Sequence, residues 1–238
     1  MSETMSETQR APATTGEPVV VAIDGPSGVG KSTAARLLAR RLGIPYLDTG
    51  AMYRAVALQA LEEGIHPDDA PAVVELARTV ELELELDPET GGARVLLQGE
   101  PVEERLRTTR VGEASSRIST RPEVRERLVG LQREFAGRHG GVLEGRDIGT
   151  RVFPETRHKF FLDARQDVRY RRRFDQLAAA GSDVTYSEVV VEIDRRDQRD
   201  SHRHESPLTY DETYVLIDTS DLSPDEVVER MEKEIRAR

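Results

Sequence analysis

Residues 19–33 read Val19-Val20-Val21-Ala22-Ile23-Asp24-Gly25-Pro26-Ser27-Gly28-Val29-Gly30-Lys31-Ser32-Thr33, and this stretch decides the fold. Its β-branched start is typical of a buried strand, and a helical pattern follows from Ala34. The loop between them fits the spacing G-x-x-x-x-G-K-[ST], in which glycines let successive N–H groups point at one spot. The following helix adds its positive N-terminal end. This context predicts a phosphate-binding loop rather than an ordinary glycine-rich turn.

Two side chains of this loop carry the predicted chemistry. Lys31 can reach the terminal phosphates of a ligand, and the Ser32 hydroxyl can bind Mg²⁺. We expect Lys31 to lie in a solvated part of the loop and to contribute nothing to core packing.

Composition sets broad limits on the kind of protein. The 238 residues fit one α/β domain with an insertion or two small domains, and the net charge of −10 argues against general nucleic-acid binding. Cys is absent, which suits a reducing cytosol, and no apolar run reaches transmembrane length. Residues 1–17 are small and polar and are predicted to form a disordered tail without a signal pattern. We expect a cytoplasmic monomer with neither membrane nor nucleic-acid partners.

Strands and helices alternate through most of the chain. A helix ending at Gly43 follows the loop, and another follows residues 48–54 and extends through about Glu63. Further short apolar runs predict the remaining strands of a parallel sheet; these are residues 44–47, 141–144, 158–163 and 214–218. The fold class is therefore α/β.

Residues 80–99 depart from this alternation. Residues 80–86 alternate between apolar and acidic side chains, residues 87–92 form a turn, and residues 94–99 read as a second strand. An antiparallel β insert of this kind is typical of a small subdomain that closes over a substrate, with a functionless hairpin as the alternative. We predict a core with the phosphate loop over residues 18–78, an insert over 79–119, and the continued core over 120–238.

Polar residues at strand ends predict a second binding region. Ligands lie beyond the carboxyl ends of parallel strands, which places Thr49, Tyr53 and Arg54 near the phosphate loop; an N-capped helix with a surface Arg is the alternative. Arg125 lies in the first turn of a helix, where the helix dipole favours an acid, so either a ligand contact or a solvated Arg fits. Arg146 and Asp147 lie between loop glycines, as in binding loops.

Residues 194–205 form the densest charge cluster. On a helix, Arg196, Arg199 and Arg203 share one face with Asp200 close by. Such a segment is either a salt-bridged surface helix or a lid that brings guanidinium groups to phosphates, and the upstream phosphate loop favours a lid over about residues 185–206. His202, His204 and Glu205 lack the spacing of a metal site.

Four of these segments together resemble the bacterial cytidylate kinase family of P-loop nucleoside monophosphate kinases. The resemblance covers about residues 18–236 and rests on Asp24-Gly-Pro-Ser-Gly-Val-Gly-Lys-Ser32, Asp48-Thr-Gly-Ala-Met-Tyr-Arg54, Glu144-Gly-Arg-Asp-Ile-Gly-Thr150 and Arg195-Arg-Asp-Gln-Arg-Asp200. It implies a five-stranded parallel sheet flanked by helices, an antiparallel β insert that binds the nucleoside monophosphate, and a short helical lid.

The resemblance also implies an activity and a set of site residues. The activity is transfer of the γ-phosphoryl group of ATP, with Mg²⁺, to CMP or dCMP. Lys31, Arg146 and Arg196 would be catalytic, and Ser32 would bind Mg²⁺ through the ATP phosphates. The ATP loop would comprise Gly25, Pro26, Ser27, Gly28, Val29, Gly30, Lys31, Ser32 and Thr33. Ser116, Arg125 and Asp147 would contact cytosine. The acceptor phosphate and sugar would be held by Thr49, Tyr53, Arg54, Arg146, Arg196, Asp200 and Arg203.

Two other functions remain open at this point. One is a P-loop kinase for another small acceptor, such as a different monophosphate or shikimate. The other is a regulatory nucleotide-binding protein without a second-substrate site, against which the arginines at 54, 125, 146 and 196 argue.

Overall fold

The computed structural model describes residues 18–202 and 208–237, and these residues form a central sheet with helices on both faces. The strands are β1 (Val20–Asp24), β2 (Tyr46–Asp48), β3 (Leu82–Leu86), β4 (Ala93–Leu97), β5 (Glu100–Pro101), β6 (Gly141–Glu144), β7 (His158–Asp163) and β8 (Val215–Asp218). The helices are α1 (Lys31–Leu42), α2 (Thr49–Glu62), α3 (Ala70–Thr79), α4 (Thr109–Ile118), α5 (Pro122–His139), α6 (Gln166–Ala179), α7 (Tyr186–His202) and α8 (Pro224–Ala237).

The main sheet has five parallel strands in the order β2-β6-β1-β7-β8. Its central strand β1 is buried on both faces: Val21 and Ile23 pack in the cluster with α1 and α8, while Ala22 packs in the cluster with α2 and α5. This explains the continuous apolar run in the sequence, because a strand covered on both sides has no solvated face. The predicted α/β class and parallel sheet are confirmed.

Most helix and strand boundaries differ slightly from those predicted. Helix α1 begins at Lys31 rather than Ala34, because the glycine loop needs only the residues before Lys31 to reverse direction. It ends at Gly43, whose φ of +65° is the left-handed conformation expected of a helix-terminating glycine. Strand β2 begins at Tyr46 instead of Ile44, and β8 begins at Val215 instead of Tyr214. Strands β6 and β7 occupy the predicted residues 141–144 and 158–163.

The insert forms a second, antiparallel sheet in the order β3-β4-β5, in which β5 was not predicted. Leu82 pairs with Leu97, and both are buried, while the glutamates that alternate with the leucines face outward. Apolar residues of the insert, of α4 and of α2 belong to one cluster that also contains Leu143 of β6. The insert is therefore packed onto the same core as the main sheet.

Helices α6 and α7 form a hairpin beside the phosphate loop. The first half of α7 is anchored to α6 through Val189 and Ile193, which are buried against Leu177. The second half of α7 carries the charge cluster. Arg203, His204 and Glu205, together with the end of the predicted lid at 206, lie outside the described residues, as does the tail over 1–17.

Candidate active site

A cleft of about 2060 Å³ lies at the carboxyl ends of β1, β2 and β6. It brings together most of the residues predicted from the sequence; these are Ser27, Gly28, Val29, Gly30, Lys31, Ser32, Thr33, Thr49, Tyr53, Arg54, Ser116, Arg125, Arg146, Asp147, Arg196 and Asp200. Gly25 and Pro26 are not among the residues that line the cleft. The same cleft is therefore bordered by the phosphate loop, the insert and α7.

Two glycines of the phosphate loop are required by the closeness of neighbouring backbone. Gly25 has a φ of +147°, and a Cβ there would lie 2.1 Å from the carbonyl oxygen of Leu162. Gly28 has a φ of +82°, and its Cβ would lie 2.8 Å from the carbonyl oxygen of Arg169. Gly30 is the N-cap residue before α1 and has no side chain that could bond the first N–H groups of the helix. These donors point into the cleft as an anion-binding site.

Lys31 is buried, contrary to the expectation of a solvated position. Its side chain lies under the loop, and Nζ donates a hydrogen bond of 2.6 Å to the carbonyl oxygen of Pro26. Burial, and after it the positive charge of Arg146, holds the pKa of Lys31 well below its usual range. An anion between these cations would offset both effects and favour the charged ammonium. The site is thus electrostatically suited to a ligand rich in negative charge.

A buried carboxylate next to the loop gives a place for a divalent cation. Glu144 ends β6, accepts a hydrogen bond from the Tyr46 hydroxyl and lies within hydrogen-bonding reach of Ser32. Burial and the neighbouring charge of Asp48 raise the pKa of Glu144, while Lys31 opposes this shift. Mg²⁺ in kinases needs only one or two protein oxygens, because phosphates and water complete its shell. Ser32 and Glu144 fit that requirement, and Glu144 was not among the predicted site residues.

Thr49 and Arg54 hold the first turn of α2 against the cleft. The Thr49 hydroxyl donates to the carbonyl oxygen of Glu144 at 2.7 Å, and Arg54 Nη2 lies 2.6 Å from Asp48 Oδ2. Asp48 also caps α2 by accepting from the N–H of Ala51 at 3.1 Å. Burial alone would raise the pKa of Asp48, but Arg54 and the cap lower it overall. Helix α2 is therefore N-capped, as expected for the alternative of an N-capped helix with a surface Arg. Arg54 nevertheless lines the cleft.

Ser116 of α4, Arg125 of α5 and Asp147 line the same cleft, and we call these three residues the base wall. Arg125 and Asp147 form an ion pair in which each side chain is only 7 % exposed, and the Arg125 guanidinium lies 5.6 Å from the centroid of the Tyr53 ring. The buried Ser116 hydroxyl oxygen has no hydrogen-bond partner within residues 18–202 and 208–237. The base wall thus offers a carboxylate, a guanidinium and a hydroxyl to a ligand.

Arg146 and Arg196 bring two positive charges together opposite the phosphate loop. Arg146 Nε donates to Asp200 Oδ2 of α7 at 2.8 Å, so the loop after β6 contacts the predicted lid directly. Burial, and after it the charge of Arg146, lowers the pKa of Arg196 to about 10. Arg196 Nε has no hydrogen-bond partner among the residues that the structure describes. Asp200, Glu144 and Asp197 act on Arg146. The pKa of Arg196 is nevertheless lowered, so this pair of cations favours a polyanionic ligand.

Comparison with known proteins decides the family. The sequence model of the family described as Cytidylate kinase matches residues 21–237. The chain belongs to the cytidylate kinase family. A relative from Caldanaerobacter subterraneus described as Cytidylate kinase is 48% identical, with 92% of this chain and 95% of that protein aligned. A cytidylate kinase from Mycobacterium avium (strain 104) is also 48% identical, over 92% of this chain and 96% of that protein.

Among solved structures, an uncharacterized protein from Eubacterium ventriosum aligns with a TM-score of 0.53 and 14% identity. The alignment covers 92% of this chain and 99% of that chain, and at this identity it shows the fold alone. Membership of the cytidylate kinase family makes the chain a phosphotransferase with the P-loop kinase fold. Within the described parts of the chain, no helix has the length and apolar character needed to cross a bilayer.

Besides Glu144, sequence reasoning missed two further residues next to the cleft. Asp24 is fully buried at the end of β1, and Arg169 of α6 donates to the carbonyl oxygen of Ser27 at 2.8 Å while pairing with Asp197 of α7. Asp24 gave a weak signal as a charged residue that ends an apolar strand. Arg169 gave none, because it is one of several arginines on the same helix.

Proposed function

We propose that the protein transfers the γ-phosphoryl group of ATP to CMP or dCMP, yielding ADP and CDP or dCDP. The observation that carries this proposal is the buried base wall, which faces the phosphate loop across one cleft. Cytosine presents a donor amino group beside acceptor atoms, so a carboxylate and a guanidinium together match its edge. This arrangement supports a pyrimidine monophosphate as the second substrate.

The acceptor phosphate would lie between the base wall and the phosphate loop. Arg54 and Arg146 line this part of the cleft, and guanidinium groups bind phosphate through paired N–H donors. Thr49 and Tyr53 border the same space. A monophosphate whose base contacts the base wall would therefore place its phosphate near the cations, oriented toward the ATP loop.

The reaction follows from this placement. An ionised oxygen of the acceptor phosphate attacks the γ-phosphorus of ATP in line, and the bond from that phosphorus to the bridging oxygen of ADP breaks. Negative charge spreads over the transferred group, where Lys31, Arg146 and Arg196 would stabilise it. The attacking oxygen carries no proton to remove, so the mechanism needs no general base.

Ser32 and Glu144 would hold Mg²⁺ together with the ATP phosphates. When bound, Mg²⁺ supplies charge neutralisation at the β- and γ-phosphates. Helix α7 would act as the lid, bringing Arg196 to the phosphates and excluding water that could otherwise hydrolyse ATP. Asp200 would hold Arg146 in the closed site, as their 2.8 Å contact suggests. The role of Arg203 at the phosphates and sugar stays a prediction.

A coupled assay of ADP release tests the proposal. The purified protein is given ATP and Mg²⁺ with CMP, dCMP, UMP, AMP, GMP or shikimate, and a reaction without acceptor measures ATP hydrolysis. We expect high turnover with CMP and dCMP and little in the reaction without acceptor. Faster turnover with another acceptor would identify a different kinase, and turnover with none would favour a regulatory nucleotide-binding protein. A sedimentation experiment would test the monomer, which stays a prediction, as does the cytoplasmic location.

A further inference from the structure

We propose that Asp24 is a positioning residue that holds the acceptor side of the active site in place. It acts on residues 145–152, which we call the β6 loop and which carry Arg146 and Asp147. This inference rests on the function proposed above, because it concerns the site for the monophosphate. Asp24 itself ends β1 and is fully buried away from the cleft lining.

Both carboxylate oxygens of Asp24 are bonded to the backbone of the β6 loop. Oδ1 accepts from the N–H of Ile148 and Oδ2 accepts from the N–H of Gly149, each at 2.9 Å. These are the two residues that follow Asp147 directly. Because the peptide unit is planar, fixing the N–H of Ile148 also fixes the plane that contains the Cα of Asp147. The carboxylate therefore holds the backbone from which Asp147 projects toward Arg125.

The segment before β8 also bonds to Asp24, and we call these hydrogen bonds of the Asp24 carboxylate the junction. The Tyr214 hydroxyl, just before β8, donates to Asp24 Oδ2 at 2.7 Å. A Cβ on Gly149 would lie 2.5 Å from that hydroxyl oxygen, so the β6 loop approaches Tyr214 as closely as a glycine allows. The junction thus joins the central strand, the β6 loop and the start of β8 through one buried side chain.

The chemistry of this junction requires an ionised carboxylate. Two backbone N–H groups and one hydroxyl converge on it, so an amide at this position would place its own donors against a donor. Burial raises the pKa of Asp24 to about 6, and the three hydrogen bonds oppose that shift. The charged or titratable groups facing it are Asp147 on the β6 loop, Tyr214 before β8 and Lys31 on α1, while Lys159 of β7 lies over the Tyr214 ring.

The geometry separates the acceptor side from the ATP side. The backbone of Asp24 is held by the β1–β7 ladder, in which Asp24 is paired with Phe161, so changing its side chain leaves the start of the phosphate loop anchored. The β6 loop depends on the side chain itself. Loss of the junction should therefore affect the monophosphate and its base more strongly than ATP.

The decisive variant is Tyr214→Phe, which removes one hydrogen bond and leaves the ring packing intact. We expect the KM for CMP to rise about five- to tenfold and the preference for CMP over UMP to fall, with the KM for ATP within about twofold of wild type. Loss of a donor to the ionised form raises the pKa of Asp24, so the acid limb of kcat/KM for CMP should move to higher pH. The CMP phosphate titrates in the same range but does so identically for both enzymes.

Two further variants complete the test. Asp24→Asn should show the same changes more strongly. Tyr210→Phe is the matched control, because Tyr210 is exposed and packs against Phe161 with the ring centroids 4.6 Å apart, outside the hydrogen bonds of Asp24. This variant should behave as wild type. The amide exchange of Ile148 and Gly149, measured without substrates, should be faster in Tyr214→Phe than in wild type or the control.

The outcomes separate the two proposals. If wild type does not phosphorylate CMP, the proposed function fails, and the exchange measurement still tests the junction. If wild type does so and Tyr214→Phe keeps its KM for CMP, base preference, acid limb and amide exchange, the role of Asp24 is refuted. Equal increases in the KM for ATP and for CMP would also refute it, because they would indicate a general structural effect. Should Asp24→Asn fail to fold, Tyr214→Phe decides alone.

Discussion

Replacing Asp147 with Asn should weaken the distinction between CMP and UMP. In uracil the amino group of cytosine becomes a carbonyl, and the adjacent ring nitrogen becomes a donor. Ionised Asp147 accepts from an amino group but repels a carbonyl oxygen, and Arg125 would face an N–H instead of an acceptor. An amide at 147 can present either its oxygen or its NH₂ group, so it would tolerate both bases.

The size of this effect follows from the burial of the base wall. Arg125 and Asp147 are each 7 % exposed, so water cannot replace a lost contact. A hydrogen bond to a charged group contributes about 1.5–3 kcal/mol, which corresponds to about 10- to 150-fold in kcat/KM. We therefore expect the ratio of kcat/KM for CMP to that for UMP to fall by this factor in Asp147→Asn. The kcat/KM for CMP should fall as well, because Arg125 loses its partner.

The assay measures kcat/KM for both monophosphates at saturating ATP. Asp68→Asn is the matched control: Asp68 also pairs with an arginine, Arg117, but this pair is largely exposed and Asp68 lies outside the cleft lining. Its ratio should equal that of wild type. A ratio in Asp147→Asn that does not move toward one would refute the assignment of Asp147 to the base.

Three further changes test other parts of the site. Lys31→Ala should lower kcat by about 100-fold or more through loss of transition-state stabilisation. Its free energy of unfolding at pH 7 should change by no more than about 1 kcal/mol, because the variant loses only the bond to Pro26. The buried Lys31 itself destabilises the fold below its unfolded pKa, since its folded pKa is lowered. A variant with normal kcat would contradict this role. Arg196→Ala should lower kcat more than ATP affinity, measured by turnover and by equilibrium titration, and a loss of affinity alone would contradict its action in the closed state. Gly25→Ala should lower the midpoint of urea unfolding far more than Gly30→Ala, since both have positive φ but only Gly25 meets a carbonyl oxygen at 2.1 Å; equal midpoints would contradict this.

The parallel sheet and phosphate loop could be predicted because their signals are local. A β-branched run, a glycine loop and a helix occupy consecutive residues, and each has one favoured structure. The β insert was likewise visible in the alternation over residues 80–86. Strand β5 was missed because two residues carry no periodicity, and Leu96 pairing with Pro101 depends on the turn before it. The start of α1 was placed too late because glycine at 30 obscured where the helix begins.

The site was predictable where residues cluster in the sequence and unpredictable where contacts are distant. Arg146 and Asp147 are adjacent and lie between glycines, so they could be recognised. Asp24 contacts Gly149 and Tyr214, which are 125 and 190 positions further along the chain, and no local pattern signals such contacts. The burial of Lys31 depends in the same way on elements that fold around the loop, and a sequence motif does not report it.

The contact of Arg169 with both the phosphate loop and α7 has a consequence for product release. One guanidinium donates to the carbonyl oxygen of Ser27 and pairs with Asp197, so α7 cannot swing away without breaking the second contact or pulling on the first. We therefore expect departure of a nucleotide from the loop to accompany opening of α7. Because Arg146 of the β6 loop pairs with Asp200 of α7, opening of this helix would loosen the acceptor side of the cleft in the same movement.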